Sequence, residues 1–162
     1  MDVVVAKRLD SLGSNWAARE SDLSVAAAVL AFSTDNVGRR IARAAVREIQ
    51  TTYRGDLWGY NGPGVITRVL KRLCSTTDVT LMSSDLCGGF EVYGPELFYP
   101  IKWENARDYF KRGQLINKGA YVYHVWNHLT ANLVADHDSP YATLARQFCP
   151  TTYEMYGERF GT

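Results

Sequence analysis

The hydrophobic and polar positions at the start of the chain predict a strand followed by a capped helix. Residues 2–6, Asp-Val-Val-Val-Ala, form a short β-branched run of the kind found in a buried strand of an α/β sheet. A second apolar run covers residues 25–32 and stops at Ser33-Thr34-Asp35, where a Ser, Thr or Asp side chain can cap a helix.

Helical periodicity follows this cap. Apolar residues recur at four-residue spacing, at Val37, Ile41, Ala45 and Ile49. Arginines lie elsewhere on the helical wheel, at Arg39, Arg40, Arg43 and Arg47. The pattern predicts an amphipathic helix from about Asp35 to Thr52, with the arginines on a solvated face rather than in a phosphate site.

A second helix is predicted from the spacing of Val65, Ile66, Val69, Leu70 and Leu73. Asn61 fits its N-cap and Pro63 its first turn, where a missing N–H costs nothing. Asn61 also lies between Gly59 and the Gly62-Pro63-Gly64 turn, where little side-chain bulk blocks access to the backbone. The segment is therefore either a simple helix cap or a place that holds a polar ligand.

The rest of the chain mixes short strands with helices. The predicted elements are strands over 79–82 and 90–93, a helix over 103–111 ended by Gly113, a strand over 120–126, and a helix from Ser139-Pro140 that Pro150 closes. This mixture places the chain in the α/β class. Since no repeat and no composition shift marks a boundary, we expect a single domain over residues 1–162.

Composition and charge exclude some partners. The 162 residues are 46% hydrophobic and 22% charged, which is typical of a folded domain. A formal net charge of +1 gives no field that would draw the protein to nucleic acid, so we expect no nucleic-acid partner. Aromatic residues at 12% suit a surface that stacks on sugar rings or on another protein.

The cysteines leave two alternatives open. Cys74 and Cys87 bracket a polar loop and can form a disulfide in an oxidising compartment, which leaves Cys149 single or paired elsewhere. The other alternative is three buried free thiols. Because the chain has neither a CxxC spacing nor a Cys/His cluster, a structural zinc site is disfavoured.

Candidate chemistry concentrates at His124, which ends an apolar strand next to Trp126 and Asn127. An imidazole, an aromatic ring and an amide converge there, although a strand histidine is more often a hydrogen-bonded structural residue than a metal ligand. Serine-nucleophile and phosphate-loop motifs are absent from the sequence, and the carboxylates have no spacing that assigns an acid and a base.

Four blocks of the chain resemble the α1,4-glycosyltransferase family of galactosyl- and N-acetylgalactosaminyltransferases that act on glycolipids. The blocks are residues 61–69 (NGPGVITRV), 95–103 (PELFYPIKW), 123–127 (YHVWN) and 149–152 (CPTT). They occur in the family's order and at plausible separations, so the resemblance covers the whole chain.

The resemblance implies a metal-dependent, retaining transferase of the GT-A type that uses a UDP-sugar donor and Mn²⁺. The family holds the cation with an Asp-X-Asp motif at the end of a buried strand, and Asp2 resembles its second aspartate. A hard cation suits carboxylate and diphosphate oxygens. We therefore expect the C-terminal part of a GT-A fold, without the first aspartate, the N-terminal nucleotide-binding strands and the membrane anchor of the full-length form.

The same resemblance assigns roles to particular residues. His124 resembles the histidine that joins the aspartates on the metal, and Trp126 and Asn127 would support it or face the sugars. Asn61 falls where relatives carry Asn or Gln near the reacting centre, and it is our catalytic candidate. Tyr60 and Gly62 flank it in the expected substrate-binding segment.

The function implied is transfer of galactose or N-acetylgalactosamine from a UDP-sugar to a lactosylceramide-like glycolipid on the lumenal side of the Golgi membrane. As a fragment, the chain is expected to be inactive alone, and oligomers with other transferases are a further expectation. The alternative is a truncated, non-catalytic paralogue that binds a glycan or a partner transferase.

Overall fold

A computed structural model describes residues 2–115 and 117–156. The described residues form five strands, β1 Val3–Val5, β2 Trp16–Arg19, β3 Val25–Ala31, β4 Glu91–Tyr93 and β5 Val122–His124. They also form five α-helices, α1 Asn36–Thr52, α2 Pro63–Leu73, α3 Asn127–Thr130, α4 Pro140–Phe148 and α5 Pro150–Tyr156. Short 3-10 helices cover Asp10–Leu12, Val79–Leu81, Pro95–Leu97 and Trp103–Tyr109. The predicted α/β class is confirmed.

The chain divides into two compact units, which we call the central unit (residues 9–95) and the terminal unit (residues 1–8 with 96–162). Each unit has its own buried apolar cluster. The expectation of one domain over residues 1–162 stays a prediction.

The central unit is built on a three-stranded sheet of order β3-β2-β4. β2 pairs with β3 antiparallel, from Trp16 opposite Ala31, and with β4 parallel, from Trp16 opposite Glu91. Both long helices contribute to its core, which contains Ala17, Val25, Ile41, Val65, Leu70 and Phe90. The buried Thr67 hydroxyl of α2 accepts from the N–H of Val25 at 2.9 Å and donates to its carbonyl at 3.2 Å. This side chain therefore satisfies backbone groups of the edge strand β3.

Helix α1 has its predicted bounds, but one residue of the predicted buried face is exposed and its neighbour is buried instead. Asp35 is the N-cap and accepts from the N–H of Gly38 at 2.9 Å. The four arginines are exposed, as predicted. Ile49, however, is 40% exposed, and Glu48 beside it is only 6% exposed. The reason is that Arg68 and Arg72 of α2 pair with the Glu48 carboxylate.

Several other element predictions need correction. The strand predicted over 79–82 is a 3-10 turn, because Asp78 accepts from both the N–H of Thr80 (2.8 Å) and its hydroxyl (2.6 Å). The predicted helix over 103–111 is a 3-10 segment interrupted by non-helical angles at Asn105. Ser139 caps α4 as predicted, but Pro150 begins the further helix α5.

The terminal unit contains a two-stranded antiparallel sheet in which Val3 pairs with His124 and Val5 with Val122. Val4, Tyr109, Tyr123 and Leu144 belong to its core. β5 is shorter than the predicted strand over 120–126 because Trp126 adopts a left-handed conformation, with φ 55° and ψ 49°, that turns the chain into α3. Among the helices described, none has both the length and the apolar character required to cross a membrane.

Of the two cysteine alternatives, the structure contains the disulfide. Cys74, at the end of α2, is bonded to Cys87, with 4.2 Å between their Cα atoms. Cys149 is a free thiol. Both bridged cysteines are fully buried in the core of the central unit.

We expect the double substitution Cys74→Ala with Cys87→Ala to lower the free energy of unfolding by about 2–3 kcal/mol, because the bridge limits the entropy of the unfolded loop between the two residues. Urea unfolding of the oxidised wild type and of the variant measures this difference. Cys149→Ala is the control and should change stability much less. A double variant as stable as Cys149→Ala would show that the bridge does not stabilise the unit.

Candidate functional site

Strand pairing brings Asp2 and His124 together in the terminal unit. Asp2 immediately precedes β1, His124 ends β5, and the register places Val3 opposite His124. The carbonyl of Asp2 accepts from the N–H of Val125 at 2.9 Å. As a result, the Asp2 Oδ2 atom lies 3.3 Å from the Nε2 atom of His124. Two residues from opposite ends of the chain thus form one polar pair.

His124 is held in an aromatic setting. The residue is 7% exposed. Its ring packs edge-on against Trp126, with 4.3 Å between ring centroids, and lies tilted to the ring of Tyr99 at 5.6 Å. Burial lowers the pKa of His124, opposed by the negative charge of Asp2 and its hydrogen bond. The imidazole is therefore biased toward the neutral form, which is the form that binds metal ions.

The two oxygens of the Asp2 carboxylate have different surroundings. Oδ1 accepts a hydrogen bond of 2.8 Å from the backbone N–H of Asn127, while Oδ2 faces His124. The side chain is 54% exposed, so the carboxylate remains accessible from solvent. One oxygen is thus anchored by the backbone, and the carboxylate as a whole can receive a ligand.

The donor set of this pair fits part of a Mn²⁺ site. A carboxylate oxygen suits a hard divalent cation, and imidazole is a common metal ligand. The Nδ1 atom of His124 is buried, and none of the residues described hydrogen-bonds to it. Within residues 2–115 and 117–156, no three His, Cys, Asp or Glu side chains gather as a metal centre would require. Metal binding by Asp2 and His124 stays a prediction.

Trp126 and Asn127 contact this pair in different ways. The Trp126 ring is half-buried, and its Nε1–H donates to the carbonyl of Ile101 at 2.8 Å. The Asn127 side chain is exposed, and the residue reaches Asp2 through its backbone N–H. Both residues thus support the pair geometrically, and a role for either in sugar binding stays a prediction.

Sequence reasoning missed Tyr99, the third ring of this cluster. Tyr99 is 1% exposed and lies 5.6 Å from His124 and 5.8 Å from Trp126 between ring centroids. The sequence did contain a signal for Tyr99, since this residue lies inside the block over residues 95–103 that resembles the family. Nothing local to that block indicates that its tyrosine packs beside a histidine 25 residues later.

Asn61 lies in the central unit, and its amide is engaged by the backbone. Its Oδ1 accepts from the N–H of Arg54 at 2.9 Å, and its Nδ2 donates to the carbonyl of Arg54 at 2.7 Å. Gly62, not Asn61, is the N-cap of α2, so the cap interpretation is wrong. Asn61 instead closes the loop over residues 54–61. One N–H and one lone pair of the amide are left for a ligand, and a catalytic role stays a prediction.

Tyr60 and Gly62 flank Asn61 in different settings. The Arg68 guanidinium lies over the Tyr60 ring at 4.0 Å, and it also donates to the Tyr60 carbonyl at 3.3 Å. A Cβ atom added to Gly62 would meet only the Cβ of Ala27, at 3.9 Å. This segment is therefore uncrowded at Gly62 and fixed by Arg68 at Tyr60. Substrate binding by either residue stays a prediction.

Comparison with known proteins identifies the family. Residues 34–156 match the alpha 1,4-glycosyltransferase conserved region, and the chain belongs to this family. This confirms the family that the four sequence blocks predicted.

Three relatives illustrate the similarity. The chain is 34% identical over 160 residues to lactosylceramide 4-alpha-galactosyltransferase of Rattus norvegicus, covering 94% of this chain and 42% of that protein. Identity to the human protein of the same name is 31% over 160 residues, covering 94% and 44%. Identity to human alpha-1,4-N-acetylglucosaminyltransferase is 28% over 106 residues, covering 62% and 31%. The chain thus spans less than half the length of these relatives. No solved structure matches it significantly.

Proposed function

We propose that this chain is the acceptor-side part of a retaining α1,4-glycosyltransferase of the GT-A type, which transfers galactose or N-acetylgalactosamine from a UDP-sugar to a glycolipid. Family membership supports transfer of a sugar from a nucleotide donor. The names of the relatives, which specify lactosylceramide as acceptor and galactose as the transferred sugar, support the glycolipid assignment.

The observation that carries this proposal is the Asp2–His124 pair, with its 3.3 Å separation of Oδ2 and Nε2. These two atoms are the proposed ligands of Mn²⁺. When bound, a divalent cation there would neutralise the charge of the UDP leaving group. Burial lowers the pKa of His124, which favours the neutral, metal-binding form, and the Asn127 N–H orients the carboxylate of Asp2.

Asn61 is the proposed catalytic residue. Its remaining amide N–H can orient the acceptor or stabilise an oxocarbenium-like transition state, while its bonds to Arg54 hold the side chain in one orientation. Tyr60, Gly62, Trp126 and Asn127 are the proposed substrate contacts. We assign no enzymic nucleophile.

The proposed location is the lumenal side of the Golgi membrane, and a membrane anchor and oligomers with other transferases are part of the same proposal. The Cys74–Cys87 disulfide supports an oxidising compartment, since such bridges persist there and are rare in the cytosol.

The test is a titration of the purified chain with UDP, with and without Mn²⁺, followed by the fluorescence of the four tryptophans. We expect binding that requires Mn²⁺. Asp2→Asn and His124→Ala should each weaken it by at least about tenfold, because the first removes the negative charge of a proposed ligand and the second removes a proposed ligand.

His137→Ala provides the matched control, because His137 is an exposed histidine of the terminal unit. It should bind UDP as the wild type does. Equal affinity with and without Mn²⁺, or equal loss in all three variants, would contradict the proposed site. A folded wild type that binds no UDP would favour the alternative function, recognition of a glycan or of a partner transferase.

A further inference from the structure

The backbone of Trp126 is unusual for its residue type. Its φ of 55° and ψ of 49° lie in the left-handed region, which glycine adopts readily and which asparagine tolerates. Ser75 and Asn117 are other residues with positive φ, but both are small and polar. A bulky residue is held in this region only when its surroundings enforce the conformation.

Contacts of the Trp126 side chain and backbone hold the residue in this conformation. The indole N–H donates to the Ile101 carbonyl at 2.8 Å, and the ring centroid lies 4.3 Å from that of His124 and 5.8 Å from that of Tyr99. The Trp126 carbonyl also accepts from the hydroxyl of Thr130 at 3.1 Å and from the N–H of Leu129 at 2.8 Å. Ring and backbone contacts together therefore fix the turn.

The left-handed turn has a direct consequence for Asp2. It redirects the chain two residues after the end of β5, so that the next N–H, that of Asn127, donates to Asp2 Oδ1 at 2.8 Å. With Oδ1 held, Oδ2 is presented to His124 Nε2. An extended residue at position 126 would continue the strand and place this N–H about 6.6 Å beyond the N–H of Val125, which already bonds the Asp2 carbonyl, because a strand rises about 3.3 Å per residue.

We infer that Trp126 is a positioning residue, whose left-handed backbone sets the Asp2 carboxylate for metal binding through the N–H of Asn127. The Asn127 side chain does not contribute to this positioning of Asp2. The inference rests on the proposed role of Asp2 as a metal ligand, but the geometry that it describes is testable without a metal.

The metal-free test is hydrogen exchange of the residue-127 amide, measured by NMR in ¹⁵N-labelled protein. Trp126→Asn and Trp126→Val both remove the indole ring and have similar size, but asparagine tolerates the left-handed region and β-branched valine does not. We expect exchange at residue 127 to be about tenfold faster in Trp126→Val than in Trp126→Asn, which is the change that the left-handed penalty implies.

Three further variants provide controls and a replacement for the exchange measurement. Asp2→Ala should accelerate the same exchange, because it removes the acceptor, whereas Asn127→Ala should leave it protected, because the backbone N–H is retained. If Trp126→Val does not fold, Trp126→Ala takes its place, with a smaller change in the same direction. Equal protection in the asparagine variant and its valine or alanine counterpart would overturn the inference, as would loss of protection in Asn127→Ala.

The second readout is the affinity for Mn²⁺ alone, measured from the electron paramagnetic resonance signal of the free ion. We expect Trp126→Val to bind Mn²⁺ about tenfold more weakly than Trp126→Asn, in proportion to its faster exchange. A wild type that binds no Mn²⁺ but shows the expected exchange pattern would refute the proposed metal function and leave the positioning of Asp2 by Trp126 established.

Discussion

Replacing Gly38 by alanine is expected to destabilise the central unit by about 3 kcal/mol or more, although alanine normally stabilises a helix interior by about 1 kcal/mol relative to glycine. Gly38 lies in the first turn of α1 and is buried. A Cβ atom there would lie 2.2 Å from the carbonyl oxygen of Ser33 and 2.6 Å from its nitrogen. Both distances are far inside van der Waals contact.

The clash cannot be relieved by a side-chain rotation, because backbone atoms are involved. The N–H and hydroxyl of Ser33 both donate to Asn15 Oδ1 at 2.9 Å, and Asn15 Nδ2 donates to Asp35 Oδ2 at 3.2 Å. Asp35 in turn caps the N–H of Gly38. Moving Ser33 away would therefore break the network that begins the helix, which makes the expected cost larger than that of ordinary overpacking.

Thermal and urea unfolding followed by circular dichroism measure this effect. Gly55→Ala is the matched control in the same unit, since a Cβ there would lie at ordinary contact distances from Tyr53, 3.4 Å at the nearest. The control should unfold within about 0.5 kcal/mol of the wild type. A Gly38→Ala protein as stable as the control would show that the helix can shift away from Ser33.

Elements with strong local signals were predictable from the sequence. The start of α1 is marked by Asp35 and that of α4 by Ser139-Pro140, and both caps form as expected. The helical spacing after Pro63 likewise gave α2. These signals are sufficient because a helix is stabilised by contacts within a few residues along the chain.

Features that depend on distant partners were not predictable from local patterns. β2 is four residues long and has no alternation that distinguishes it from a loop. The burial of Glu48 depends on arginines of another helix, and the left-handed turn at Trp126 has no signal in its residue type. Asp2 and His124 were assigned together only through the family resemblance, because their adjacency follows from the β1–β5 register.

Glu48 gives the second large expected effect. Its Oε1 accepts from Arg68 Nε and its Oε2 from Arg72, while the side chain is 6% exposed. Arg68 is 26% exposed and Arg72 is 60% exposed. Water therefore screens the ion pair between Arg72 and Glu48 more strongly than the one between Arg68 and Glu48. The carboxylate joins α1 to α2 inside the central unit.

We expect Glu48→Ala to lower the free energy of unfolding by about 3 kcal/mol, because it leaves Arg68 partly buried without its anion. Arg72→Ala should lower it by about 1 kcal/mol or less, since an exposed ion pair contributes little. Urea unfolding of both variants gives the comparison. If Arg72→Ala is as destabilising as Glu48→Ala, the exposed arginine and not Arg68 holds the carboxylate.

The ion pairs of Glu48 also predict how the stability of the protein depends on pH. Hydrogen bonds from Arg68 and then Arg72, together with their charges, hold the pKa of Glu48 below its ordinary value of about 4.5, and burial opposes this only partly. Because the folded pKa lies below the unfolded one, the stabilisation is fully present above the unfolded pKa. It is lost as the pH falls through the folded pKa.

The matched variant for this pH dependence is Glu48→Gln, which keeps the shape of the side chain and removes its titration. Wild type and variant should therefore differ most in melting temperature above about pH 4.5 and converge as the solution is made more acidic. Asp35, Asp56 and Asp78 also have lowered pKa values, but they are present in both proteins and cancel in the difference. A difference that stays constant from pH 7 to about pH 2 would mean that the charge of Glu48 does not stabilise the fold, and that its buried contacts alone join the two helices.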